Sequence, residues 1–334
     1  MQHEERIVIV GDGQMALVLA DVVAYRGARV SMLSPFPEVA RELSSTRRSP
    51  RLPGFVLPDA VEVTADAQCL RGATMVVCAI PTQHIRATFA RVASHLAPGT
   101  PVVSVAKGIE ADTFRLPAEI LQEAVEPGLS VVALSGPTIA AELARRLPAL
   151  LVAASAEPLL AARVQAAFTS PWTKVYQSPD LVGVELAGAC KNVIAIAAGV
   201  CDGLALGTNA KSALLARGLA EIARIGVALG GKVETFFGIA GAGDLATTCF
   251  APEGRNRSFG ERLGRGESVE KSLGATLSVV EGVPTSRALV ALARERSVEI
   301  PICEAVESMV FHGLAPREAL SQLMSRPSTT ERIA

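Results

Sequence analysis

The chain has 334 residues, more than one compact core usually holds, so two domains are expected. Lys and Arg number 32 against 33 Asp and Glu, a formal net charge of −1. That balance carries no electrostatic footprint for nucleic acid or an anionic membrane surface, although a local basic cluster could still hold a phosphate-sized substrate.

The opening, MQHEERIVIVGDG, lacks a basic stretch followed by a long apolar segment, so no secretory signal is expected and the chain reads as cytoplasmic. RIVIVG has the pattern of a buried strand, GQMALVLADVVAYRG of a helix ending at Gly27, and ARVSMLS of a second strand. The apolar, β-branched runs TMVVCAIP, TPVVSVAKG, LSVVALSGP and ALLVAAS follow, separated by helical stretches. Short runs of this kind predict a mostly parallel sheet with helices on both faces. After Asp180 the strand signal nearly vanishes. Helical patterns cover 181–200, 208–229, 255–264, 284–297 and 302–312, and 325–334 reads as a frayed tail. The expected organisation is therefore a Rossmann-type α/β domain over 1–179 and an all-helical domain over 180–334.

The apolar run 181–201 contains Glu185 and Lys191, which are costly at mid-bilayer depth, so no membrane span is expected. Cys69, Cys78, Cys190, Cys201, Cys249 and Cys303 lie in apolar contexts without a C-x-x-C pair. Reduced core thiols, rather than disulfides or a metal site, are expected.

The first chemical signal is Gly11, Gly13 and Ala16, a G-x-G-x-x-A pattern between the first strand and the first helix. The first glycine permits a tight turn and the second lets backbone approach a pyrophosphate. The third position needs a small residue for helix–strand packing. The helix start adds N–H groups and a favourable dipole for phosphate. An acid at the end of the second strand would read an NAD ribose, and an Arg would accommodate the NADP phosphate. Ser34-Pro35-Phe36 supplies neither, though Arg41, Arg47 and Arg48 follow. The stretch therefore leaves NAD and NADP both open.

The second signal is polar residues interrupting apolar helices. They are Lys191-Asn192 in 186-LAGACKNVIAIAAG-199, then Asp202, Asn209, Asp244 in 238-GIAGAGDLATTC-249, and 254-GRNRSFG-260. Asp202 and Asn209 read as caps or turns, and Arg257 as a solvated helix charge. Arg255-Asn256, after Gly254 at a helix start, suits an anion.

Taken together and in order, GDGQMA, VAKGI, LSGPTIAAE, ELAGACKNVIAIAAG, CDGL, ARGLAE, FFGIAGAGDLATTC, GRNRSFG and VVEGVPT resemble the bacterial-type NAD(P)-dependent sn-glycerol-3-phosphate dehydrogenases over nearly the whole chain. The resemblance implies hydride transfer between glycerol 3-phosphate and dihydroxyacetone phosphate, with NAD or NADP and no metal, supplying phospholipid synthesis. It places the catalytic lysine at Lys191 and a second active-site lysine at Lys107, with Asp244 beside them. Substrate contacts fall on Lys107, Gly136, Thr138, Lys191, Asp244, Gly254, Arg255 and Asn256. Cofactor contacts fall on Gln14, Met15, Lys107, Ala140, Arg255, Val279 and Glu281, beside the turn residues Gly11, Gly13 and Ala16.

The departures from the family pattern are Gln14-Met15 for Ser-Trp, Ala16 for the third glycine, Pro35 for a basic residue, Thr138 and Gly254 for serines, and Cys190 for leucine. A lysine desolvated among small residues should have a lowered pKa, lowered further by Lys107 and opposed by Asp244. Lys191 is then the expected acid/base, and Lys107 the group polarising the substrate oxygen. The expected partners are a small phosphorylated substrate and a second copy of the chain in a homodimer. The alternatives are a β-hydroxyacid or 6-phosphogluconate type dehydrogenase and a nucleotide-binding module without turnover. AGAGDLATTC followed by GRNR favours the glycerol phosphate reading.

Overall fold

The structure, a computed structural model, describes residues 5–126, 128–276, 279–327 and 330. It divides into two compact units, Met1–Ala106 with Pro117–Leu181, and Lys107–Leu116 with Val182–Ala334.

The first unit is an eight-stranded sheet of β1 (Arg6–Val10), β2 (Arg29–Leu33), β3 (Val61–Thr64), β4 (Met75–Cys78), β5 (Val102–Ser104), β6 (Val131–Ser135), β7 (Ala149–Ala154) and β8 (Thr173–Ser178). The order is β3-β2-β1-β4-β5-β6-β7-β8. Every neighbouring pair is parallel except β6 with β7. Helices α1 (Gln14–Tyr25), α2 (Pro37–Thr46), α3 (Ile85–Val92), α4 (Pro117–Ala124), α5 (Ala140–Leu143) and α6 (Pro158–Phe168) connect the strands.

Side-chain alternation explains the layering. Ile7 and Ile9 of β1 join one apolar cluster with α1, whereas Val8 and Val10 join another with Phe89 of α3. Both faces are covered, so the central strands read as uninterrupted apolar runs. The order reverses between β1 and β4. Open parallel sheets bind ligands at such a switch point, beyond the strand C-termini.

Two strands and one direction go beyond the sequence reading. β3 and β8 are edge strands that expose Glu62, Lys174, Tyr176 and Gln177, so their apolar content is diluted. The antiparallel course of β7 has no signature in its residues.

The second unit is helical: α7 (Leu181–Gly203), α8 (Gly207–Ala228), α9 (Val233–Phe237), α10 (Asp244–Phe250), α11 (Arg255–Gly264), α12 (Val269–Gly274), α13 (Gly282–Glu295), α14 (Pro301–Phe311) and α15 (Pro316–Met324). α7 is long and apolar enough to cross a bilayer, but 89% of its apolar window is buried inside the protein. Its small residues have a packing purpose. A Cβ at Gly199 would lie 1.9 Å from the Arg257 carbonyl oxygen, and one at Gly260 would lie 1.9 Å from that of Ile196. α7 and α11 therefore touch backbone to backbone, and only glycine fits at the crossing. A buried carboxylate pins a second pair of helices. Glu221 of α8 accepts from the Ile302 N–H at 2.8 Å and the Cys303 N–H at 3.2 Å, capping α14.

Residues 107–116 belong with this unit, and the expected division after 179 does not contain that excursion. Ile109 is fully buried and Leu116 nearly so, both within the helical core beside Phe114. The expected fraying at 325–334 falls largely on residues 328, 329 and 331–334, which lie outside those described.

Candidate active site

In the first unit, β1 ends in the turn Gly11–Gly13. Gly11 has φ +131°, and a Cβ there would lie 2.5 Å from the Ala79 carbonyl oxygen, so this turn admits only glycine. Gly13 caps α1 with no side-chain hydrogen bond. The first turn carries no acid, and a Cβ on Gly13 would meet nothing within 4 Å. This is open space above uncapped N–H groups, the cradle a phosphate needs. Ala16 is fully buried under the turn, and Met15 packs against the same core. The Gln14 amide donates to the Arg51 carbonyl at 2.5 Å.

At the end of β2, Ser34 donates to Asp12 at 2.5 Å. Arg47, which the sequence offered for a cofactor phosphate, is already engaged. It donates to the carbonyls of Pro58 and, at 2.7 Å, Val61, holding the loop into β3. Elsewhere in this unit, Gly136 follows β6 with φ +147°. Thr138 donates back to the Gly136 carbonyl at 3.1 Å, and Ala140 opens α5.

The second unit gathers the charged residues. Asp244, 1% exposed, opens α10 and bridges two ammonium groups. Its Oδ1 lies 2.8 Å from Lys191 Nζ of α7, and its Oδ2 lies 2.7 Å from Lys107 Nζ of the 107–116 segment. Thr248, one turn after Asp244, accepts from Lys191 and donates to the Asp244 carbonyl at 2.8 Å. Burial pushes the Lys191 amine down to about 8; Asp244 opposes the shift and Lys107 adds to it.

The glycine-dense approach to Asp244 is a π-helical turn, Ile239–Gly243. A Cβ at Gly241 would sit 2.0 Å from the Phe236 carbonyl oxygen, so the turn lies directly on α9. Such turns concentrate at functional sites.

A chain of amides runs from this cluster to α11. Asn192 donates to the Lys107 carbonyl at 2.8 Å and accepts from Asn256 at 2.9 Å. The Asn256 carbonyl oxygen accepts from Gly282 N–H at 2.9 Å. Asn256 thus uses both ends of its amide inside the protein, and Arg255 commits one donor to the Val279 carbonyl at 3.1 Å. Glu281, at the N-cap of α13, acts electrostatically on Arg255. Gly254 caps α11 without a side-chain bond, leaving its first N–H groups for an anion.

Lys107, Lys191, Asp244, Gly254, Arg255, Asn256, Val279 and Glu281 therefore share the helical unit. Gly11, Gly13, Gln14, Met15, Ala16, Gly136, Thr138 and Ala140 belong to the sheet unit. Thr248 was not expected as part of the cluster, although Asp244 and Thr248 at i and i+4 on one helix were a usable signal. Among the described residues, no group of three or more His, Cys, Asp or Glu side chains is arranged to hold a metal ion.

Comparison with known proteins agrees with this chemistry. Residues 6–161 match the sequence profile of the NAD-dependent glycerol-3-phosphate dehydrogenase N-terminus, and 180–321 that of its C-terminus. A glycerol-3-phosphate dehydrogenase [NAD(P)+] from Geobacter sp. strain M21 is 41% identical, covering 98% of this chain and 99% of its own. One from Thermobifida fusca is 42% identical over 98% of each. The crystal structure of glycerol-3-phosphate dehydrogenase from Coxiella burnetii superposes with a TM-score of 0.92 at 31% identity, covering 97% of this chain and 99% of that one. On both the profiles and these relatives, the chain belongs to the NAD-dependent glycerol-3-phosphate dehydrogenase family.

Proposed function

We propose that the chain interconverts sn-glycerol 3-phosphate and dihydroxyacetone phosphate, with Lys191 as the group that moves the substrate proton. The observation that carries this reading is an amine buried on a helix of small residues, lowered to about 8 and held by one carboxylate. A group with that pKa can both take and return a proton near neutrality.

In the oxidising direction the neutral Lys191 amine accepts the hydroxyl proton. In the reducing direction its ammonium returns it to the carbonyl oxygen. Lys107 polarises the same oxygen, and Asp244 keeps both lysines aimed at it. Arg255, the Asn256 end of α11 and the cap at Gly254 hold the substrate phosphate, with Gly136 and Thr138 completing the substrate contacts. The dinucleotide, when bound, supplies or accepts the hydride. Gly11, Gly13, Gln14, Met15, Ala16, Ala140, Val279 and Glu281 hold it, together with Lys107 and Arg255. The open space beside Gly13 supports that assignment. The product supplies the glycerol phosphate backbone of phospholipids.

In this reading the enzyme is a cytoplasmic homodimer. Six cysteines, none in a disulfide among the described residues, support a reducing compartment, and Val227, Val233 and Phe237 exposed on the helical unit support self-association. Sedimentation showing a monomer at working concentration would remove the dimer.

The test is reduction of dihydroxyacetone phosphate by NADH and NADPH in parallel, followed by nicotinamide absorbance. Lys191→Ala should lower kcat by at least roughly 100-fold in a folded protein. Full activity of that variant would sink the assignment.

A further inference from the structure

Asp202 lies near the end of α7 and read, in the sequence, as a cap. The structure puts it to a different use. Its carboxylate receives two cations from two other helices. Lys211 of α8 donates to both oxygens at 2.7 and 3.0 Å. Arg257 of α11 brings Nε within 2.7 Å of Oδ2. Neither cation is a solvated surface charge, since their side chains are only 10% and 15% exposed. Arg257 has a second carboxylate in Glu261, at 3.2 Å, and Lys211 lies 5.0 Å over the ring of Phe250, the last residue of α10.

One carboxylate therefore joins α7 to α8 and α11, and Lys211 carries the contact on to α10. α7 bears Lys191, α10 bears Asp244 and Thr248, and α11 bears Arg255 and Asn256. The glycine crossing of α7 on α11 allows the two backbones to touch. It already resists sliding, because a neighbouring residue moved into the crossing would press its Cβ onto backbone, but it leaves the side chains at the start of α11 to be placed by other contacts. The Asn256–Asn192 bond and the Arg257–Asp202 pair hold the start of α11 to two points ten residues apart on α7.

We propose that Asp202 is a positioning residue that sets where α11 presents its phosphate-binding start relative to the Lys191 amine. Asp202 itself touches no reacting atom. It lies eleven residues from Lys191 along one helix, about 16 Å at 1.5 Å per residue. Replacing its charge leaves two poorly solvated cations facing each other, which pushes the α11 pin away from α7. This rests on the reading of Arg255 and Asn256 as phosphate holders.

The experiment compares kcat/KM for dihydroxyacetone phosphate with that for unphosphorylated dihydroxyacetone in wild type, D202N, D202E, R257Q, the D202N/R257Q double variant and R255Q. The expected result is a fall of at least about tenfold in the phosphorylated-to-unphosphorylated ratio in D202N and in R257Q, by loss of orientation. Most of the ratio returns in D202E, and the double variant is no worse than D202N. The pH midpoint on kcat, set at Lys191, stays in place. A parallel loss for both substrates in D202N and R257Q would overturn the proposal, because a merely loosened fold acts that way. A ratio unchanged in both variants, while R255Q lowers it, would overturn it as well. If R255Q also leaves the ratio unchanged, the phosphate reading has failed and the proposal falls with it.

Discussion

Lys191→Met is the most informative single change. The methionine keeps most of the side-chain length and removes the charge. In the wild type, the amine falls from an ordinary value of 10.5 to about 8 on burial. A shift of that size is about 3 kcal/mol between the two protonation states, at 1.36 kcal/mol per unit. The sign follows from linkage. Between pH 8 and 10.5 the unfolded chain binds a proton at this lysine that the folded protein has released, so stability rises with pH across that window. Below pH 8 the full cost of burying the ammonium is present.

Measured against Lys191→Met, which cancels every other titration, the wild type should gain about 2 kcal/mol between pH 7 and pH 9.5. Chemical denaturation of both proteins across that range is the assay. The same lysine should appear in the kinetics. Alcohol oxidation should rise with pH through a midpoint near 8, ketone reduction should fall through it, and the variant should lack both. A stability difference flat from pH 7 to 9.5 would refute the buried, depressed amine. A kinetic midpoint that survives in the variant would refute Lys191 as its source.

Two further changes probe separate parts of the molecule. Asp244→Asn removes the main charge that opposes the lowering of Lys191, an interaction of up to about 4 kcal/mol at 4 Å in an effective dielectric of 20. The kinetic midpoint should move acidward by about 1–3 units, read from the pH profile of kcat, and a midpoint that stays or rises would exclude this electrostatic role. Gly11→Ala forces a side chain onto a left-handed turn and against the Ala79 carbonyl. It should cost about 1–3 kcal/mol in chemical denaturation and weaken dinucleotide binding by fluorescence titration, so an alanine variant with both properties intact would contradict the turn geometry.

Legibility in the sequence differed by element. The central strands were visible because burial on both faces makes them continuous β-branched runs, as in RIVIV and MVVC. The long helices were visible within two or three residues at each end. The edge strands were not, because half of each faces solvent. Lys191 stood out because a charge inside a run of small apolar residues is conspicuous, and Gly11 and Gly13 because their spacing has a stated purpose. Asp202, Arg257 and Lys211 did not stand out as a group. Each looks like an ordinary helix charge, and the relation among them exists only once three helices are packed. The attachment of 107–116 to the helical unit was hidden for the same reason, since AKGIEADTFR carries no periodicity that names its packing partner.

That attachment bears on modularity. The chain passes from one unit to the other after residue 106, returns after 116, and passes across again after 181. The two halves are thus not separable cassettes. A recombinant piece beginning at residue 180 would hold Lys191, Asp244 and the whole of α11, yet lack Lys107 and the Ile109 and Leu116 side chains of its own core. Swapping the dinucleotide-binding half for another lineage's would place a foreign 107–116 loop against Asp244 of the helical unit. An exchange of the two units that respects the packing would have to move residues 107–116 with the helical unit rather than with the sheet.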